Sequence, residues 1–346
     1  MGAIAQYAYL NARVSVMAAR LLPEAQVEAL IEQPPERGPS PLQGAGMEGL
    51  LSEEGIDTAV LEHAWLLALM NDVSVLVRCL SGAARELLIY WLRRFELGNL
   101  KAVIRGRMAE RSAAAIREEL INLGPFATLR LEALLATEDV AELLRRLEAT
   151  PYGDIARQAR GVFEQRRDLF MLDATLDRRY FTKLAQRLRA FHGEDGRHLD
   201  RLGATIIDYT NLVWLLRYRL FYGLPPPETY YLLIPAGYGM ASRDWLQLAQ
   251  LNSLEEVIRA LPRALSTLLE NADTVSEVQR RLERETRRIA FSVLRRSAFN
   301  LGRALAYLML RELEMQQVLG VLKGRRLRLD PGGVTNHVFD ADEVKQ

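Results

Sequence analysis

Few side chains in this sequence have the types and spacing that catalysis or metal binding requires. The acidic stretch 193–196 is flanked by two histidines and could bind a metal ion, although a solvated turn between helices is the simpler interpretation. A single cysteine, Cys79, excludes an intrachain disulfide and any cysteine-rich metal site. We expect no metal and no cofactor, because no two of the four histidines have metal-ligand spacing on one helix: His63, His192, His198 and His337.

The usual motifs for phosphate binding and nucleophilic catalysis are also missing. Residues 320–324 begin and end in glycine but lack the Gly-Lys-Ser/Thr ending of a Walker A loop. The sequence has no Gly-x-Ser-x-Gly motif for a hydrolase nucleophile and no His-Glu-x-x-His motif for zinc. No helix carries the clustered aspartates that hold Mg²⁺ against a diphosphate. The sequence therefore predicts no catalytic residue and a protein that is not an enzyme.

One region combines aromatic and arginine side chains, as single-stranded nucleic-acid binding proteins do. The first four aromatic residues have the spacing of one helical stripe, which normally packs into a core. The formal net charge is only +1, which argues against nucleic acid as the main partner. We therefore interpret this region as structural; its aromatic residues are Trp214, Tyr218, Phe221, Tyr222, Tyr230 and Tyr231.

Helical periodicity dominates the rest of the chain. In residues 86–105, leucines and aromatic residues recur on one stripe while the basic residues lie elsewhere. No stretch alternates apolar and polar residues as a half-buried strand does, so we predict an all-α fold class. The predicted helices cover residues 59–80, 84–105, 112–122, 138–149, 154–192, 197–222, 242–251, 253–270 and 274–323.

Three segments have the composition of connectors. Residues 34–46 contain four prolines and three glycines, so they cannot be helical throughout. Residues 223–239 contain three consecutive prolines followed by aromatic residues, and residues 324–346 are expected to form a disordered tail. We expect no membrane-spanning helix, because the most apolar windows, 64–70 and 304–310, are far shorter than the roughly twenty residues that a bilayer requires.

An internal repeat is the most informative feature of the sequence. Its template is an apolar residue, an acid, two free positions, an amide, an apolar residue, two free positions, two apolar residues and a basic residue. The second copy begins 112 residues after the first, and the third begins 106 residues after the second. The template occurs at residues 95–105, 207–217 and 313–323, where the amides are Asn99, Asn211 and Gln317.

Two further similarities support a repeat of about 110 residues. The offset of 106 also relates residues 176–178 to residues 282–284, and an offset of 114 relates 140–147 to 254–261. A lone match between leucine-rich helices would mean little, but two landmarks with one offset indicate a true repeat. An amide in an apolar helix can fix the register of neighbouring helices through hydrogen bonds, so we predict that Asn99, Asn211 and Gln317 are structural repeat positions.

Four stretches of the chain, 7–22, 95–106, 208–238 and 307–324, together resemble the C subunit of V/A-type rotary ATPases, the AC39 family, which includes the d subunit of the vacuolar ATPase. The sequence departs from the family pattern in the proline-rich insert 34–46, the long tail and the glutamine of the third repeat. The resemblance implies a funnel of three helical lobes with pseudo-threefold symmetry. It also implies a non-catalytic rotor subunit that joins the central shaft to the proteolipid ring and transmits torque for proton or sodium transport.

From the repeat and the resemblance we predict three lobes and a tail. The partners implied are the central shaft subunits and the rotor ring, with no nucleic acid and with membrane contact only through the ring. The location implied is peripheral, on the cytoplasmic face of the membrane. A free-standing helical scaffold for another soluble protein is the alternative, although the repeat is longer than an ordinary solenoid unit. The predicted units are 1–110, a link at 111–125, 126–235, 236–323 and the tail 324–346.

Overall fold

The described residues fold into α-helices, short turns and loops. No strand occurs among them, which confirms the predicted all-α fold class. The insert 34–46, His337 and all but three residues of the tail 324–346 lie outside the described residues. The computed structural model describes residues 3–23, 26, 58–166, 168–235, 237–296 and 298–326.

Fifteen α-helices are present in those ranges. The longest are α3, α9 and α15, and each of them carries one copy of the repeated acid–amide template. In chain order the helices are α1 (Ala3–Ala18), α2 (Thr58–Val77), α3 (Gly82–Met108), α4 (Ala113–Arg117), α5 (Leu131–Leu135), α6 (Val140–Leu147), α7 (Gly153–Arg166), α8 (Leu169–Arg189), α9 (Gly193–Leu216), α10 (Pro226–Leu232), α11 (Ser242–Leu248), α12 (Leu254–Ala260), α13 (Arg263–Leu268), α14 (Val275–Arg296) and α15 (Leu301–Arg326).

Two of the predicted helices are each split in two by a polar residue that caps a new helix. The predicted helix 154–192 ends before Asp168, whose Oδ1 accepts a hydrogen bond from the backbone N–H of Phe170 and so caps α8. The predicted helix 274–323 is broken at Asn300, whose Oδ1 accepts from the N–H of Arg303 at 3.0 Å and begins α15. Apolar spacing continues across both breaks, so periodicity alone could not detect these caps.

Other predicted boundaries also changed. The predicted helix 253–270 is divided by Pro262, which cannot continue a hydrogen-bonded helix, and 112–122 is helical only in α4. Helices α1, α5 and α10 were not predicted, and α10 lies within the predicted connector 223–239. Pro226 stands at the first position of α10, where a missing N–H has no cost.

Clusters of buried apolar side chains hold the described helices together, and three of them are formed as follows. The main cluster draws on α1 to α8, on residues 199–207 of α9, and on α14 and α15. A second cluster joins the last turns of α9 to α11, α12 and the start of α14. A small third cluster packs Met171 and Ala174 against Tyr218 and Leu232. Because the main cluster draws on both ends of the chain, the N-terminal helix is part of the same core as the C-terminal one.

Helix α2 has enough length and apolar character to cross a bilayer, in the window Val60–Val77, and 44% of that window is buried inside the protein. Two of its side chains, Asp72 and Trp65, contact α15. The hydroxyl of Tyr307 donates to Asp72 Oδ2 at 2.6 Å, and the guanidinium of Arg311 lies 4.7 Å from the ring centre of Trp65. These contacts give α2 the packing of a core helix.

Candidate functional site

The amide of Asn99 in α3 fixes the backbone of a distant loop residue. Its Nδ2 donates to the carbonyl oxygen of Ile121, and the N–H of Ile121 donates back to Asn99 Oδ1, both at 2.7 Å. Only 2% of Asn99 is exposed, so both bonds form where little water competes. One side chain therefore satisfies the donor and the acceptor of a residue that belongs to no helix.

The acid of the same repeat, Glu96, holds the chain seven residues further along. Its Oε1 accepts from the backbone N–H groups of Thr128 and Leu129 at 2.5 and 2.6 Å. Its Oε2 accepts from the hydroxyls of Thr128 and Tyr152, each at 2.6 Å. Burial raises the pKa of Tyr152 above its ordinary value, and the charge of Glu96 raises it further, so the phenol remains a donor.

Helix α9 repeats this arrangement. Asn211 Nδ2 donates to the carbonyl oxygen of Ile234 at 3.0 Å, and the N–H of Ile234 donates to Asn211 Oδ1 at 2.8 Å. Asp208 accepts from the N–H groups of Tyr238 and Gly239 at 2.9 and 2.5 Å. Burial raises the pKa of Asp208 above its ordinary value, although the two N–H donors oppose that effect.

The third pair, in α15, has different partners. Glu314 accepts from the backbone N–H of Leu22, close to the end of α1, and from Arg311. Gln317 accepts a hydrogen bond from the guanidinium of Arg287, which belongs to the neighbouring helix α14. Burial raises the pKa of Glu314, while the neighbouring charge of Arg311 opposes the shift. Glutamine in place of asparagine therefore coincides with a partner on a neighbouring helix.

The three pairs, which we call the acid–amide clamps, hold three different connectors in cyclic order. The clamp on α3 binds residues between 121 and 129, and the clamp on α9 binds residues between 234 and 239. The clamp on α15 binds Leu22, 292 residues earlier in the chain. The clamp residues Asn99, Asn211 and Gln317 are thus not brought to one site, since each bonds to a different segment. The sequence template predicted the positions of the acids and amides, but it did not predict which residues they bind.

The acidic stretch between two histidines has a role that the sequence did not indicate. Residues 193–196 are the first turn of α9, and Asp195 Oδ1 accepts from the N–H of Leu301 at the start of α15, at 2.7 Å. Asp195 Oδ2 accepts from the hydroxyl of Tyr7 at 2.5 Å. A carboxylate in this position interacts favourably with the positive end of the α15 dipole. Because the same carboxylate binds Tyr7, it also links α1 to α9 and α15.

The histidines are dispersed. His63 is exposed, and His198 faces α15 closely enough that a Cβ on Gly302 would lie 2.6 Å from the Cβ of His198. Desolvation by burial lowers the pKa of His198. Within the part of the chain that the structure describes, no three His, Cys, Asp or Glu side chains could hold a metal ion together.

The aromatic stripe is only partly in the core. The ring of Trp214 lies edge-on to Phe181 at 5.6 Å, and Tyr218 lies edge-on to Phe170 at 5.5 Å. Phe221, in contrast, is 73% exposed. The interpretation of all four residues as core was wrong because the helix ends in a π-helical turn at Arg217–Phe221, which changes the helical register.

Comparison with known proteins agrees with this architecture. The chain matches the family described as "ATP synthase (C/AC39) subunit" over residues 10–336. The C subunit of the A-type ATP synthase of Methanocaldococcus jannaschii is 24% identical over 95% of this chain and 85% of its own length.

The proteins of the same description from Haloquadratum walsbyi and Pyrococcus horikoshii are 24% and 26% identical. They cover 98% and 92% of this chain, and this chain spans 96% and 86% of them. A family match that extends over nearly all of the residues, with relatives aligned almost end to end, cannot come from one shared helical hairpin. The chain belongs to the ATP synthase (C/AC39) subunit family.

Proposed function

We propose that this protein is a non-catalytic central-rotor subunit of a V/A-type rotary ATPase, a socket that joins the central shaft to the membrane rotor ring. The observation that carries the proposal is the family match over residues 10–336. Relatives named as the C subunit of A-type ATP synthases align with nearly the whole chain, which supports the same place in the complex for this protein.

The way the helices are joined is consistent with transmission of torque. At 1.5 Å per residue, α3, α9 and α15 are each about 36–40 Å long. Each is cross-linked to a connector or a neighbouring helix by a clamp, so a load on a loop passes directly to a long helix. We propose that Asn99, Asn211 and Gln317 serve as structural repeat positions in this sense.

The cyclic order of the clamps supports a pseudo-threefold funnel. The clamp of the first proposed lobe (1–110) holds the chain that leads into the second (126–235), and the second clamp holds the chain that leads into the third (236–323). The clamp of the third lobe holds Leu22 of the first. Three units that each hold the next, with the last holding the first, are what a closed three-lobed arrangement requires.

We propose that the protein is peripheral, on the cytoplasmic face, and that it contacts the membrane only through the rotor ring. Its proposed partners are the ring and the central shaft subunits. The polar side chain of Asp72 and the ring of Trp65 on α2 pair with α15, which supports α2 as a core helix and not a bilayer span.

Affinity purification tests the proposal. The protein with an N-terminal tag is purified from detergent-solubilised membranes, and the retained proteins are identified by mass spectrometry. The proposal predicts a small ring-forming membrane protein, a coiled-coil shaft subunit and ATP-binding head subunits. Recovery of soluble proteins alone, with this chain absent from the membrane fraction, would refute it and favour a free-standing scaffold.

A further inference from the structure

One face of α14 forms the wall of a strongly basic cleft. The cleft has a volume of about 1160 Å³, and the described residues that line it include seven arginines and two glutamates. Six of the arginines belong to α14, and the seventh, Arg201, comes from α9. Since the whole chain has a formal net charge of only +1, the surplus of five positive charges among the described lining residues is a local concentration.

The cleft is elongated along the helix. The residues of α14 that line it recur at intervals of three and four, from Glu277 through Arg281, Arg284 and Arg288 to Arg295, which places them on one face. From Glu277 to the last lining residue, Arg296, the helix rises about 29 Å at 1.5 Å per residue. That length would accommodate about five turns of a second helix laid alongside.

Some of the arginines are already paired, and others are not. Arg281 and Arg288 form ion pairs with Glu277 and Glu285 on the same helix. Arg201 and Arg284 are exposed and make no hydrogen bond or ion pair within the described ranges. These unpaired guanidinium groups are suited to carboxylates from another molecule, because the guanidinium fork matches carboxylate geometry.

The other described residues of the lining are apolar except for Ser292. Leu21, Leu22 and Pro23, just after α1, lie across from Phe291 of α14. The clamp residue Glu314 fixes the backbone of Leu22, so this apolar side of the cleft is firmly positioned. A cleft with charged groups and an apolar floor fits an amphipathic chain better than a bare phosphate, which would leave the floor uncovered.

We propose that this cleft binds an acidic, amphipathic helix of another protein of the same rotary complex, with glutamates or aspartates on Arg201 and Arg284 and apolar side chains on Leu21 and Phe291. This inference rests on the proposed function and adds the contact surface and the chemistry of the partner. The concave shape favours a protein segment over a lipid surface, which is flat on the scale of the cleft.

Charge reversal tests the cleft in the intact complex. The tagged double variant Arg201→Glu/Arg284→Glu is purified from solubilised membranes beside the wild type and a control, Arg130→Glu/Arg157→Glu. The control arginines are also exposed and lie outside the cleft, and their replacement changes the net charge equally. Loss and reversal of two exposed ion pairs is expected to lower retention of one soluble subunit about tenfold at physiological salt. The control should retain it fully, and circular dichroism should show equal helix content in all three proteins.

A photoreactive p-benzoylphenylalanine in place of Arg284 then identifies the occupant. The expected product is a cross-link to an acidic helical segment of a soluble subunit. Equal retention by the cleft variant and the wild type, or a cross-link to lipid or to acidic residues of this same chain, would overturn the inference. Failure of the wild type to recover any ATPase subunit would instead refute the proposed function, so the two failures are distinguishable.

Discussion

Replacement of Asn211 by leucine should destabilise the protein, although the two side chains have similar volumes. Asn211 is fully buried, and its partner Ile234 is 1% exposed. Leucine has a similar shape but can neither donate to the carbonyl of Ile234 nor accept from its N–H. Each backbone group left unpaired costs about 1–3 kcal/mol, and burial of an apolar side chain in place of an amide returns part of this. We expect the free energy of unfolding to fall by about 2–4 kcal/mol.

Urea denaturation of the full chain, followed by circular dichroism, measures this loss. Asn122→Leu is the matched control, because Asn122 is exposed and only accepts one bond from Gly124. The control should change the free energy of unfolding by less than about 0.5 kcal/mol. Amide hydrogen exchange should also become faster at Ile234, whose N–H donates to Asn211 in the native protein.

When it is added to a purified catalytic head, the same variant should not change the rate of ATP hydrolysis. A loss of stability no larger than that of the Asn122→Leu control would refute the idea that the clamp satisfies a buried backbone. Unchanged exchange at Ile234 would contradict it independently, because the N–H would then not depend on the amide.

The clamps and their surroundings lead to three more predictions. Glu96→Ala should lower the free energy of unfolding by about 3–5 kcal/mol, whereas Glu96→Gln, which keeps an acceptor for both N–H groups, should cost less than half as much; equal losses in urea titrations would contradict this. Because burial raises the pKa of Asp208, the folded chain binds more protons than the unfolded chain above about pH 4, so stability from this group falls as pH rises. The stability of the wild type relative to Asp208→Asn should therefore decrease from about pH 4.5 to about pH 7 in urea titrations, and an increase would refute the shift. A Cβ on Gly203 would lie 2.7 Å from the ring of Tyr238, so Gly203→Ala should lower the melting temperature, while Gly161→Ala, which meets open space, should not.

The sequence predicted the clamp positions but not what they bind. The acid and amide of each template were recognisable because polar residues recur at a fixed spacing in apolar helices. The backbone groups that they bind lie 22 to 33 residues further on in the first two copies and 292 residues away in the third. Such contacts depend on how the connectors pass over the helices, and no local spacing encodes that path.

The predicted helix boundaries were wrong where a single polar residue caps a helix within a stretch of continuous apolar periodicity. Asp168 and Asn300 each cap a new helix inside a stretch whose apolar spacing continues unbroken. The π-helical turn at Arg217–Phe221 similarly exposes Phe221, because one extra residue per turn rotates the stripe. From the sequence we interpreted Asp195 as part of a solvated turn. Its contact with α15 became evident only in the three-dimensional structure.

We propose that the protein transmits torque and does no chemistry. The most direct test reconstitutes the rotary complex in vesicles with and without this chain, and measures ATP hydrolysis and ATP-driven proton or sodium uptake in the same preparation. We predict that hydrolysis by the head continues without the chain, that ion uptake stops, and that added chain restores uptake. Ion uptake that persists without the chain, or hydrolysis by the isolated head that requires it, would contradict the claim.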